Sequence, residues 1–267
     1  MQKAIFAALA LTALGTVAPA QLGPASGADR AGNRLFPFPA WTRERADPFT
    51  LHCTADHRWC ARLRRGAAGA GWRLELSNGA AAPQSLEIAA PENETTTLSI
   101  WPHIVIERDG AAILGVERVD EGANPQGEWR FVRLVLVRAA PGRASLRQVL
   151  EVPTFAYNGL YACLHPGDRR RRFGACINKA LYTGTLTLDP GTGAGPPHFL
   201  FVALARTWPA HGVLERELDR QIPLRRSDVR WAVDRECSYR FRVAWNGAQG
   251  VYMPDGQFPR CPDYFGF

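Results

Sequence analysis

Beyond its first twenty residues the chain has no long apolar run. The longest strongly apolar stretch, FLFVALA at residues 199–205, is far shorter than the roughly 20 residues a membrane-crossing helix needs, which excludes such a helix from the body of the chain. Lysine is nearly missing as well. Of 32 basic side chains only Lys3 and Lys179 are lysines, so amine chemistry has one candidate in the body of the chain, and a plain surface charge is the simpler reading of it. The marks of familiar catalytic sites are absent: no G-x-S-x-G elbow, no S-x-x-K and no H-E-x-x-H. There is no C-x-x-C pair and no C-x-x-C-H haem attachment site. No cofactor and no metal site is expected.

What is present begins with a leader. A basic start (MQK), apolar or small residues from 4 to 17 and Ala18-Pro19-Ala20 make the three parts of a secretory signal peptide, with cleavage expected after Ala20. The first cysteine is Cys53, too far away for lipid attachment at a new amino terminus. An exported protein, periplasmic or secreted, follows. A transmembrane barrel is disfavoured because Pro259, Cys261 and Pro262 interrupt what would be its closing strand. The chain carries a net charge of +7, and +6 without Lys3. A basic exported protein is drawn to anionic surfaces, and salt weakens the attraction.

The six cysteines, Cys53, Cys60, Cys163, Cys176, Cys237 and Cys261, form three sequence-local couples. In an oxidising compartment an even count of this kind reads as disulfides, here 53 with 60, 163 with 176, and 237 with 261. The stretch LHCTADHRWC also gathers His52, Asp56 and His57 around the first couple. Export and the alternation of His52 and Cys53 across a strand favour a disulfide hairpin over zinc there.

From Phe49 onward the apolar period is mostly two. Trp72, Leu74 and Leu76 alternate with Arg73, Glu75 and Ser77; Tyr182, Leu186 and Leu188 with Thr183, Thr185 and Thr187; Tyr239, Phe241, Val243 and Trp245 with Arg240 and Arg242. Each reads as a strand with one wet face. FVRLVLV (131–137) and FLFVALA are apolar on both faces and read as central strands covered on both sides. Turn signals at RDG, APG, WNGAQG and PDG imply hairpins. The expected fold is all-β, a mainly antiparallel two-sheet sandwich with hairpins tied by disulfides and one short helix at 213–222; a small or incomplete β-propeller is the alternative, disfavoured by the lack of a fixed-period repeat. The expected layout is a signal peptide at 1–20, a Pro/Gly/Ala-rich segment at 21–47 and a single β-rich domain at 48–267, with a possible subdomain break near 189–197. In the second of these, LFPFPAW is expected to dock Phe36, Phe38 and Trp41 onto the domain.

Three arginine clusters are the candidate anion-binding residues: Arg62, Arg64 and Arg65; Arg169, Arg170, Arg171 and Arg172 between two cysteines; and Arg225 with Arg226. If their loops gather at one end of the sandwich they form a basic rim; if scattered, they only solvate the surface. GTGAG (191–195) precedes a strand rather than a helix and reads as a connector. Asp120, Glu121 and Asn124 lack the spacing of a calcium loop. The leading functional expectation is a non-catalytic binding protein engaging an anionic polysaccharide, a lipid head group or a protein partner, with nucleic acid set aside. The alternatives are an envelope-directed hydrolase using carboxylates such as Asp168, Glu215 or Asp120, and a secreted enzyme inhibitor whose disulfide-tied loop acts as a plug.

Overall fold

The computed structural model describes residues 27–41, 51–65, 71–79, 82–89, 96–210 and 223–265. Fifteen strands carry the fold. The first seven are β1 (Gly27–Ala28), β2 (Arg34–Pro37), β3 (Ala40–Trp41), β4 (Leu51–Cys53), β5 (Trp59–Arg65), β6 (Trp72–Asn78) and β7 (Gln84–Ile88). Eight mostly longer ones follow: β8 (Thr96–Ile106), β9 (Ala112–Asn124), β10 (Gly127–Ala139), β11 (Arg147–Tyr161), β12 (Ile177–Leu188), β13 (Phe199–Trp208), β14 (Ala232–Asn246) and β15 (Val251–Pro254). They form two antiparallel sheets, a long one ordered β1-β2-β8-β9-β10-β11-β12-β13-β14-β15 and a short one ordered β3-β4-β5-β6-β7. The architecture is the expected all-β sandwich, with no closed barrel among the described residues.

The long sheet separates two cores by the alternation of its side chains. On β10, Leu134 and Leu136 enter one core while Val137 and Ala139 enter the other, so FVRLVLV is covered on both faces as its composition implies. The second core is the sandwich interface. Trp59, Ala61, Leu63, Leu74 and Leu76 of the short sheet pack there on Ile100, Ile104, Leu114 and Val116 of β8 and β9. The first core lies in the bend of the long sheet itself, where Val105 and Ile113 of β8 and β9 share a cluster with Tyr182, Phe201, Val243 and Tyr252 of β12 to β15.

FLFVALA departs from expectation. Phe199, Phe201, Ala203 and Ala205 are buried, but the alternate side chains face outward, with Val202 45% and Leu204 39% exposed. The short sheet packs over β8 to β10 and leaves this part of the long sheet bare. An apolar strand pattern reports dislike of water, not what covers the strand.

The docking of the amino-terminal segment is realised at Phe36 and Phe38, 2% and 0% exposed. The turn before them is tied down too, as the Arg30 amide donates to the Pro190 carbonyl (3.3 Å) and the Asn33 side-chain amide to the Gly195 carbonyl (3.1 Å). Residues 189–198 thus form the β12–β13 connection, packed against the β1–β2 turn. All three expected disulfides are present, Cys53–Cys60, Cys163–Cys176 and Cys237–Cys261. The described helices are single turns, α1 (Asp168–Arg171) and α2 (Pro262–Phe265); the helix expected at 213–222 and the side chain of Trp41 lie outside the described residues.

Candidate functional site

Strand register decides where the arginine clusters lie. β11 meets β12 from Phe155↔Thr183 to Tyr161↔Ile177, β12 meets β13 at Lys179↔Trp208, and β13 meets β14 at Thr207↔Ala232. The β11–β12 loop, with Arg169 to Arg172, and the β13–β14 loop, with Arg225 and Arg226, therefore leave the long sheet at the same end. The third cluster is elsewhere, on β5 of the short sheet. There Arg64 lies 3.5 Å from Glu75, and the Arg65 guanidinium lies 5.9 Å from the Trp72 ring centroid. Arg62 is half-buried in the same strand.

The β11–β12 loop is built from inside outward. Asp168 is fully buried; it accepts the His165 amide (2.7 Å) and pairs with Arg171. Burial would raise its pKa, but the His165 amide and the Arg171 guanidinium outweigh that, and the carboxyl titrates below the ordinary range. Arg172 is also buried, its Nε donating to the Ala175 carbonyl (2.9 Å) and its terminal nitrogen to Asn178. Of the candidate anion-binding residues, Arg172 thus has its guanidinium engaged within the loop. Arg169 and Arg170 remain exposed. So do the apolar side chains around them, Tyr161 (43%), Leu164 (52%) and Phe173 (51%).

On the other loop, the Arg225 amide donates to Asp228 (2.8 Å), and Arg225 and Arg226 are exposed. Next to it Trp231 is 41% exposed and stands 6.0 Å from Trp208 between ring centroids. The remaining exposed large hydrophobic residues among those described are Val202, Leu204, Val233 and Met253 on β13, β14 and β15. None lies on the short sheet. One face and one end of the long sheet thus combine bare apolar side chains with arginine.

Two of the carboxylates considered for hydrolysis already have partners. Asp168 is committed as above, Asp120 is held by Thr96 and Arg118 (3.2 Å), and Glu215 lies outside the described residues. Glu121 pairs with Arg130 (3.5 Å), while Asn124 caps its own turn through the amides of Gln126 and Gly127. At the first cysteine couple, the two sulfurs that stand near His57 are bonded to each other.

A second polar constellation has no precursor in the motif reading. At the opposite end of the long sheet, Arg138 on β10 forks onto both oxygens of Glu107 (2.5 and 2.9 Å) and lies 5.2 Å from the Trp245 ring centroid. Nearby, the Tyr252 hydroxyl is buried without a hydrogen-bond partner among the described residues, and desolvation together with the Glu107 charge pushes its pKa up. Glu107 and Arg138 stand 31 positions apart, so no local spacing announces them.

Comparison with protein-family models, curated proteins and solved structures finds no match to this chain. No described helix is long and apolar enough to cross a membrane.

Proposed function

We propose that this is an exported, non-catalytic binding protein that docks on an acidic lipid surface through the bare face of β12 to β14 and the two loops at the α1 end. The observation that carries the reading is the location of the exposed large hydrophobic side chains, which cluster on this face and end and are interleaved there with exposed arginines. Apolar area returned from water is worth roughly 25 cal/mol per Å². Each basic residue near an anionic leaflet adds about 1 kcal/mol. A polysaccharide would use the charges but leave Leu164, Phe173, Val202 and Leu204 in water. Lipid uses both.

Vesicle co-sedimentation tests this. Binding to vesicles containing phosphatidylglycerol, weaker on pure phosphatidylcholine and falling with added salt, is the expected result, and replacing Arg169, Arg170, Arg225 and Arg226 together by alanine should reduce it strongly. Equal binding to neutral and acidic vesicles, or none to either at low salt, overturns the reading.

A further inference from the structure

Arg206 of β13, like Arg240 and Arg242 of β14 opposite Val202 and Leu200, is a strand arginine of the bare face. Arg206 projects from β13 on the same side as Val202 and Leu204, opposite Leu181 of β12 and Val233 of β14 in the ladder. One step toward the α1 end, Trp208 stands opposite Lys179, with Trp231 beside it. The Arg206 guanidinium lies 5.7 Å from the Trp231 ring centroid. Its Nε is buried and, among the described residues, has no hydrogen-bond partner. A guanidinium presents a planar fork of donors, and a buried N–H without an acceptor carries an unrecovered desolvation cost. Among the described residues, neither Arg206 nor Lys179 has a carboxylate within ion-pair distance.

We propose that Arg206, flanked by Lys179 and walled by Trp208 and Trp231, is the head-group site of this face and takes the phosphate monoester or carboxylate of a single-chain amphiphile. The geometry divides the ligand in two. The anionic head pairs with the accessible part of the half-buried Arg206 side chain, and the apolar chain runs along Leu204 and Val202, which continue the same row of β13 away from the α1 end. Thr183 and Thr185, opposite Leu204 and Val202 in the register, border that track. An inorganic anion would satisfy the head and leave the track wet. A neutral alkane would do the reverse. The site therefore selects for the covalent union of the two.

This inference rests on the docking reading but is separable from it. Tryptophan fluorescence of the full protein, titrated with dodecyl phosphate below its micelle concentration, should change saturably, and inorganic phosphate should bind at least tenfold more weakly. Arg206→Gln should weaken dodecyl phosphate binding on the order of tenfold to a hundredfold, the scale of a charged hydrogen-bonded contact, with Arg206→Lys in between. Unchanged affinity in a folded Arg206→Gln protein overturns the site. Because that variant could fail to fold, phenylglyoxal labelling of the unaltered protein gives a second readout. Dodecyl phosphate should protect Arg206 and leave Arg143, on the β10–β11 loop, unprotected; equal labelling of Arg206 with and without ligand also overturns the site. Acidic-vesicle binding that survives Arg206→Gln undiminished while dodecyl phosphate binding is intact in all variants removes Arg206 and leaves the docking reading. Dodecyl phosphate bound at Arg206 with no vesicle binding at all removes the docking reading and leaves the site.

Discussion

Glu107 and Arg138 show what a single pair contributes in this fold. The Glu107 side chain is 2% exposed and that of Arg138 17%, so the pair is desolvated and removing one partner strands the other's charge. Arg138→Ala should cost about 3–5 kcal/mol in chemical denaturation, and Glu107→Gln less, because the amide still accepts one hydrogen bond. A double-mutant cycle showing additivity would contradict the coupling. The histidines give a pH signature at the same scale. His52, His103 and His198 all have pKa values lowered from 6.5 by burial, His52 in spite of its 2.7 Å contact with the Phe38 carbonyl. The unfolded chain therefore takes up protons that the folded chain refuses. Their contribution to stability is complete above pH 6.5 and is lost as pH falls toward the folded values. Midpoints of urea unfolding measured across that window should decline on acidification, and His52→Gln should flatten the decline. None of this was legible in the sequence, since a histidine in an apolar strand or a glutamate in an RDG turn looks the same whether it is buried or wet.

At the scale of the element, β13 carries the functional argument and illustrates how far pattern reading reaches. Its apolar composition identifies a strand, and the sheet's alternation puts Phe201, Ala203 and Ala205 in the core, but hydrophobicity on both faces does not bring cover to both. The short sheet ends its contacts over β8 to β10, a tertiary fact with no local signal. By contrast, β6 and β12, with polar residues on alternate positions, have the one wet face their sequences predict, written in threonine, glutamate and arginine. The three disulfides were also readable, since hairpin ends bring sequence-local cysteines together. The two faces of β13 should respond oppositely to charge. Leu204→Asp should leave thermal stability within about 0.5 kcal/mol of the parent, as surface changes do, and weaken binding to acidic vesicles severalfold. Ala203→Asp on the buried face should destabilise by several kcal/mol or abolish folding, because an unpaired carboxylate in a packed core has no compensation. If Leu204→Asp behaves like Ala203→Asp, the outward face is covered in solution.

For the whole molecule the consequence is an orientation. The long sheet has a short sheet over one stretch of its outer face and nothing described over the rest, so a lipid surface meeting the bare stretch holds the five-stranded sheet away from it. Two of the three basic clusters then share the lipid side, with Arg169, Arg170, Arg225 and Arg226 at the α1 end and Arg206 and Lys179 behind them, while Arg64 and Arg73 stay on the short sheet, each near Glu75. Net charge alone, +7 over the chain, would attract the protein to an acidic surface in any pose, and salt would weaken every pose alike. What discriminates is which side chains are shielded. Arginine labelling on phosphatidylglycerol vesicles, read residue by residue by mass spectrometry, should show Arg170, Arg226 and Arg240 protected and Arg64 and Arg73 labelled at the rate seen without lipid. Uniform protection would mean that charge acts without a docking face, and the reverse pattern would place the short sheet on the lipid. Either result would separate the attraction, which composition supplies, from the recognition proposed for the uncovered part of the long sheet.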